Sequence, residues 1–414
     1  MSDKRKDSSG KVLKTGESER KQGGYQYRYT TRGKRQYIYA STLNELREKE
    51  MNIQRDIFDG MRLDGKNLTV NHIYDNWVQI KRGLKDNTFQ NYKYLYEMFV
   101  RQDFGTMRLE TIRKSDVIRF YNYLAENRGL MLSTIESVHT VLHQVLELAA
   151  DDEYIRKNPS DNVLKALKQA HCFTSEKVHS LSVAEQNLFI NYLMNSRVYG
   201  HWYPIFAFML GTGLRVGEVT GLRWEDVDLT NNTVSVNHTL VYYNHAVGGC
   251  YFGINTPKTK AGCRTVPMLE SVKQALFLEA KYQQVMGLNS QAVVDGYRNF
   301  IFVNRFGGVM HQGTLNRALD RIIRDCNLDI LGQSEDADGL TLLPNFSCHS
   351  LRHTFAKRLC ESGANIKFIQ SVLGHADIST TMDIYTEATE EFKKEQMSGV
   401  EDFVQVGRTE TEEK

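Results

Sequence analysis

The chain has 414 residues, 41% of them hydrophobic and 25% charged. That is ordinary globular composition, and at about 100–200 residues per domain it predicts two to four domains. No apolar run approaches the roughly 18 residues of a membrane span, and the opening stretch MSDKRKDSSG lacks the apolar core of a signal peptide. The six cysteines, at 172, 250, 263, 326, 348 and 360, form no CxxC pair, which argues against a zinc ribbon and a secreted disulfide framework. A cytoplasmic protein with reduced thiols is expected. The net charge of +2 conceals a polarity: residues 1–40 sum to +7 and residues 386–414 to −5. A basic front end suits a polyanion such as DNA, although a solvated basic tail has the same composition.

Residues 1–66 make the first region. Tyr25, Tyr27 and Tyr29 alternate with Gln26 and Arg28, and the alternation returns in Gln36, Tyr37, Ile38 and Tyr39. Two aromatic runs around a turn at Gly33 predict a β-hairpin, with Lys11–Thr15 as a third strand. Ser41 or Thr42 then caps a helix carrying Leu43, Leu46, Met51, Ile53 and Ile57. The outward positions of this module are basic, and sheets can enter the major groove. Arg28, Arg32 and Lys34 are its candidate DNA contacts; ordinary surface charge is the alternative.

Residues 67–168 read as wholly helical. Thr69 is placed to cap Val70–Lys81, Asn87 or Thr88 a helix with Tyr92, Leu95, Tyr96 and Phe99, Ser115 the helix Val117–Asn127, and Ser133 the helix Ile135–Asp151, which Asn158-Pro159 ends. Its scattered cations, with Lys93 as the candidate DNA contact, otherwise read as solvated helix faces. Residues 174–385 are mixed. Helices are expected at Leu181–Asn195 and Trp202–Leu210, strands at Thr233–Asn237, Thr265–Pro267 and Tyr297–Val303, and helix again from Leu351 to Tyr385 with turns at Gly363 and Gly374. The stretches 240–255 and 329–345 are expected as long loops. Phe392, Val400 and Phe403 fit an amphipathic tail helix.

The segment Gly211-Thr-Gly-Leu-Arg215-Val-Gly-Glu218 invites a nucleotide-binding reading. Its spacing is GxGxxxG, a helix-like YPIFAFML precedes it and no Walker lysine is present, so that reading is rejected. A glycine-rich turn remains, setting Arg215 at a helix start, where backbone donors and a guanidinium make an anion site. A surface arginine in a connecting loop is the plainer alternative. In His349-Ser-Leu-Arg352-His353, His349 and Arg352 share a helix face. His349 and His353 also have a zinc-pair spacing, but no glutamate lies between them and Arg352 would repel a cation. Leu373-Gly374-His375 and Ile384-Tyr385 say little alone, since Gly374 reads as a helix stop and most of the 21 tyrosines will be packing residues.

The order is what decides. His349 follows Arg215 by 134 residues, His375 follows Arg352 by 23, and Tyr385 follows His375 by 10. The ordered set GTGLRxGE, HxLRH, LGH and a terminal tyrosine resembles the tyrosine site-specific recombinases across the whole third region. The helical second region resembles that family's core-site-binding domain. Lys14–Lys21 with the tyrosine strands is similar to the arm-site-binding domain of conjugative-transposon integrases. Thr256-Pro257-Lys258-Thr259 through Arg264-Thr-Val-Pro267 resembles the family's β-hairpin lysine motif, with Lys260 competing with Lys258 for the role.

The resemblance implies a multidomain fold: a small β-sheet-plus-helix N-terminal module, an all-α helical core-binding domain, and a mixed, mainly α catalytic domain with a small antiparallel sheet. It implies arm-site DNA binding at 1–66, core-site binding at 67–168, a catalytic domain with a C-terminal docking helix at 174–398 and an acidic tail at 399–414. It implies that Arg215 and Arg352 clamp the non-bridging oxygens of a DNA phosphate, with His375 adding a hydrogen bond. Tyr385 would be the nucleophile, His349 its proton acceptor and Lys258 the general acid. Glu218 resembles an acidic position that orients the arginines, and equally an ordinary helix N-terminal carboxylate. Further implications are a 3′-phosphotyrosine intermediate, a homotetramer joining two double-stranded DNAs (transposon ends and target) through a Holliday junction, accessory excision or DNA-bending proteins, and no metal, ATP or other cofactor. A type IB topoisomerase would use the same chemistry and reseal the same strand. A non-catalytic DNA-binding regulator predicts a broken site, whereas all six positions are filled here.

Overall fold

A computed structural model describes residues 5–31, 33–63, 67–171, 179–243, 249–257, 262–333, 340–375 and 377–386. The chain divides into two compact units, Met1–Ser175 and Glu176–Lys414.

The first unit opens with an antiparallel sheet of β1 (Glu17–Glu19), β2 (Tyr25–Thr31) and β3 (Lys34–Ala40), in that order. Side chains alternate across a strand, so Tyr27 and Tyr29 turn inward onto Leu43, Leu46 and Ile53 of α1 (Leu43–Phe58). Arg28, Arg35, Tyr37 and Tyr39 turn outward and are exposed, Arg28 standing opposite Tyr37. Thr42 caps α1 by accepting the Glu45 N–H at 3.2 Å. The third strand is Glu17–Glu19 and not Lys11–Thr15. The Asp7 carboxylate accepts the N–H groups of Ser9 and Lys11, at 3.0 and 2.7 Å, holding a turn over residues 7–11, and Lys11–Thr15 carries an isolated bridge, Lys6–Val12, in place of a strand.

Five helices follow: α2 (Val70–Ile80), α3 (Asp86–Phe99), α4 (Lys114–Glu126), α5 (Leu132–Asp151) and α6 (Val163–His171). The apolar face of α5 is the centre of this core, with Val138, Val141, Leu142, Val145 and Leu146 fully buried. Several helices start earlier than expected. On α4, Asp116 rather than Ser115 does the capping, its carboxylate accepting the Arg113 N–H at 2.8 Å. Asn158 does not stop α5, which ends at Asp151. Buried, it donates to the His143 carbonyl at 3.1 Å and to Glu147 at 2.7 Å, tying the following loop back to the helix. Within this unit the N-terminal module and the helices also touch. Arg156 pairs with Asp56 and Asp59 of the first module at 2.7 and 2.6 Å, and the Arg62 N–H donates to the Glu153 carbonyl at 2.9 Å.

The second unit runs α7 (Val183–Asn195), α8 (Tyr203–Thr212), α9 (Val216–Thr220), β4 (Val227–Asp228), β5 (Thr233–Val236), β6 (Thr239–Tyr243), β7 (Tyr251–Asn255), β8 (Arg264–Pro267), α10 (Glu270–Met286), α11 (Gln312–Gln333), α12 (Cys348–Glu361), α13 (Ile366–Leu373) and α14 (Ser379–Thr386). Helix α8 is apolar on every side, as a helix enclosed by others must be, and it packs on α7, α10 and α12. The antiparallel sheet β4-β5-β8 flanks that core, and β6 and β7 pair separately. Four expectations are corrected here. Residues 240–255 are not one long loop, because β6 and β7 form a ladder from Thr239–Asn255 to Tyr243–Tyr251. Strands β7 and β8, on either side of Lys258 in the chain, belong to different sheets and do not pair as one hairpin. Tyr297–Val303 is not a strand: Asn299 takes a left-handed φ of 62°, and only isolated bridges such as Arg223–Phe300 form. Helix α11 also extends to Gln333, inside the stretch expected as loop. Among the described residues no helix is long and apolar enough to cross a membrane.

Candidate active site

Two glycines build the site from the backbone up. Gly213 ends α8 with φ 60°, and a Cβ there would lie 2.2 Å from the Phe355 ring, so both conformation and space require glycine. Gly374 ends α13 in the same left-handed way, with φ 65°. Each turn leaves helix C-terminal carbonyls without helical partners, a locally negative position that suits a cation. Arg352, on α12, donates to the Gly213 carbonyl at 2.7 Å and to the Leu373 carbonyl at 2.6 Å. Arg215, at the start of α9, donates to the Gly374 carbonyl at 3.2 Å. The HxLRH arginine therefore rests on the GTGLR turn, and the GTGLR arginine rests on the LGH turn.

The two guanidiniums differ in exposure. Arg352 is only 4% exposed, while the Arg215 side chain is 43% exposed. Burial, and then repulsion by Arg215, press Arg352 down to about 9, which still leaves it charged at neutral pH. Glu218 anchors Arg215 and a third arginine, Arg264. Its carboxylate accepts the Arg215 N–H at 2.8 Å, the Arg215 side chain at 3.1 Å and the two terminal nitrogens of Arg264 at 3.1 and 2.9 Å. Burial would raise the Glu218 carboxyl, but the Arg264 bonds and charge outweigh it and hold the group below its ordinary range. Arg264 also donates through Nε to the Val372 carbonyl at 2.6 Å. In the sequence Arg264 stands only within the stretch resembling the lysine motif, with no role assigned to it.

Arg215, His349, Arg352, His353, His375 and Asp377 line a cleft of about 360 Å³. His375 is fixed by a 3.0 Å hydrogen bond between Nδ1 and the Thr381 hydroxyl. Burial first, then Arg352 and Arg215, push its imidazole down to about 4, so it is neutral at physiological pH. The same three causes lower His349. His349 and His353 face each other across one helical turn, Nε2 to Nε2 at 3.1 Å. Four of the six residues expected to act together, Arg215, His349, Arg352 and His375, thus meet at one cleft. Tyr385 lies in the last turn of α14, a helix that packs on α12 and α13; its side chain is outside the described ones. Lys258 and its competitor Lys260 also lie outside the described residues, as does the expected tail helix at 392–403.

Of the candidate DNA contacts, Arg28 is exposed on the outer face of the N-terminal sheet and Lys34 at its end, while Arg32 lies outside the described residues. Arg35 and Tyr37 share the Arg28 face and were missed, although the two-residue period of β3 marks them. Lys93 has its ammonium 4.6 Å from the Phe89 ring centre.

Residues 161–391 match the phage integrase family model, residues 1–57 the DNA binding domain of Tn916 integrase, and residues 68–125 the N-terminal SAM-like domain of phage integrases. The chain belongs to the phage integrase family and is a tyrosine recombinase of the conjugative-transposon type. The transposase of transposon Tn916 from Enterococcus faecalis is 32% identical over 406 residues, covering 94% of this chain and 95% of that protein. The transposase of Tn1545 from Streptococcus agalactiae matches with the same identity and coverage. Among solved structures, the Tn1549 transposon integrase in complex with transposon right end DNA is 27% identical. It superposes with a TM-score of 0.68, over 80% of this chain and 99% of that one.

Proposed function

We propose that this recombinase integrates and excises a mobile element by cutting double-stranded DNA through a covalent 3′-phosphotyrosine at Tyr385. The observation that carries the reading is the placement of Arg215 and Arg352, two guanidiniums held by the backbone carbonyls of the LGH and GTGLR turns at the wall of one cleft. A phosphodiester undergoing displacement gathers negative charge on its non-bridging oxygens, and preorganised arginines stabilise that charge without reorganising. In the proposed step the Tyr385 oxygen bonds to phosphorus as the bond to the 5′ oxygen breaks. The tyrosine proton passes to His349, and Lys258 gives a proton to the departing oxygen. His375, neutral and oriented by Thr381, donates to the same phosphate. The phosphodiester bond energy is kept in the phosphotyrosine, so a 5′-hydroxyl of another strand can reverse the step without ATP.

Joining two duplexes requires cutting four strands. With one Tyr385 per chain the working assembly is a homotetramer, resolving through a Holliday junction. The N-terminal sheet presents Arg28, Arg35 and Tyr37 to an arm-type site, and the helical part of the first unit binds the core site. The similarity to transposases of Tn916 and Tn1545, and to an integrase seen on transposon-end DNA, supports transposon ends as the substrate. A DNA substrate is in keeping with a cytoplasmic enzyme, where excision or DNA-bending proteins would set direction.

The test is a nicked suicide duplex carrying a candidate transposon end, incubated in EDTA beside Tyr385→Phe. An SDS-resistant protein–DNA adduct that vanishes in the variant supports the reading. Persistence of the adduct in Tyr385→Phe removes Tyr385 as nucleophile. No adduct on DNA that the protein demonstrably binds would favour a non-catalytic DNA-binding role.

A further inference from the structure

The histidine pair on α12 has a geometry that the reaction above leaves unused. The Nε2 atoms of His349 and His353 are 3.1 Å apart, with the rings at 76° and their centres 4.6 Å apart. Two ring nitrogens at that distance hold one proton between them, because two lone pairs repel and two N–H groups collide. A neutral imidazole carries its proton on one nitrogen only. The direction of this one bond therefore fixes what the far side of His349 can do. If His353 donates, His349 carries its own proton on Nδ1 and has no lone pair to offer. If His349 donates, its Nδ1 is a free base.

We propose that His353 is a positioning residue: it accepts the Nε2 proton of His349 and so leaves Nδ1 of His349 as the base that receives the Tyr385 proton. This rests on the roles proposed above for His349 and Tyr385. The proton balance closes. As the tyrosine oxygen bonds to phosphorus, its proton moves to Nδ1 of His349, which becomes an imidazolium still donating to His353. The same proton returns to the tyrosine oxygen when a 5′-hydroxyl reverses the reaction. Arg215 and Arg352 face the pair as fixed positive charges, His375 as a neutral ring, and Asp377 as the one carboxylate among the residues lining the cleft. Before DNA arrives burial, and then the two guanidiniums, oppose a charge on the His349 ring, which favours the neutral form whose single proton can be the one shared with His353. The incoming phosphate offsets the guanidinium charge, and His349 can then hold a second proton on Nδ1 while its first stays on Nε2, donated to His353. Fixing a tautomer through the far nitrogen is how a neighbour outside the reacting atoms governs a catalytic histidine.

The experiment is single-turnover adduct formation by the full-length chain on the suicide duplex across pH, with DNA affinity and thermal midpoint measured alongside. His353→Phe should slow adduct formation by on the order of 10–100-fold and move the acid limb of the pH–rate profile, with affinity and thermal midpoint unchanged. His353→Gln, whose amide oxygen can accept the same N–H, should recover most of the rate. In ¹⁵N-histidine spectra, His349 should show an unprotonated Nδ1 in the parent and lose that signature in His353→Phe. Equal loss in the Phe and Gln variants with an unmoved pH profile, or a protonated Nδ1 in the parent, overturns the proposal. Tyr385→Phe and His349→Ala run in the same series. If either still forms the adduct, the underlying assignment fails. If both abolish it while His353→Phe matches the parent, only the role of His353 fails.

Discussion

Replacing Glu218 by alanine probes the charge network on which the cleft is built. Glu218 and Arg264 are 5% and 6% exposed and joined by two hydrogen bonds at 2.9 and 3.1 Å. Removing one partner of a buried pair leaves the other desolvated and uncompensated, a loss of about 3–5 kcal/mol. At roughly 2–4 °C per kcal/mol for a unit of this size, the thermal midpoint should fall by roughly 6–20 °C. The double variant Glu218→Met/Arg264→Met removes both charges and should regain most of that stability, because an apolar pair of similar volume often replaces a buried ion pair without loss. It should not regain adduct formation, since Arg215 would keep its carbonyl contact to Gly374 but lose the carboxylate that aims it. The pH dependence has a definite sign. The folded-state carboxyl of Glu218 is held below its ordinary value, so its contribution is complete above the ordinary carboxylate range and fades as pH falls through it. The parent should therefore lose its advantage over Glu218→Ala toward low pH, while the double variant shows no such dependence. A single Glu218→Ala variant melting with the parent, or a double variant with full activity, would refute the network as described.

Arg352→Lys should lower the rate of adduct formation by on the order of 10²–10³ with DNA binding kept, because a lysine cannot hold the Gly213 and Leu373 carbonyls and also present a planar fork to phosphate; single-turnover kinetics on bound DNA decide it. Arg28→Ala and Arg35→Ala should each weaken binding to arm-type DNA and reduce the salt slope of log K by about one per lost phosphate contact, read by titration at several salt concentrations, with core-type DNA unaffected. His139, half-buried and hydrogen-bonded to the Tyr121 hydroxyl at 2.8 Å, is pushed down to about 4, by desolvation first and then by His143. A histidine depressed in the folded state favours unfolding as pH drops from its ordinary value toward that lowered one. The thermal midpoint of the first unit should fall over that window, and fall less in His139→Phe.

The elements legible in the sequence are those whose pattern is local. The tyrosine alternation of residues 25–39 faces a core on one side and solvent on the other, so a period of two survives in the residue types. It does not survive in β6 and β7, where Tyr242 and Tyr243 face Phe252 and Tyr251 across the ladder and aromatic residues fall on both faces. The early helix starts were missed because Asp116 caps from inside the first turn, a position that propensity alone does not separate from Ser115. The catalytic motifs were legible as an ordered set, yet not as an arrangement, because each is completed by atoms far away in sequence. Arg352 looks like a surface cation until Gly213, 139 residues earlier, offers its carbonyl. Arg264 looks like a strand-end charge until Glu218, 46 residues earlier, encloses it. The same interlocking explains why Arg215, Arg352 and the two glycine turns only make sense together. The Arg352 carbonyls come from the turns that end α8 and α13, and the Arg215 carbonyl comes from the second of these, so loosening either turn releases a guanidinium that a phosphate would otherwise meet already in place.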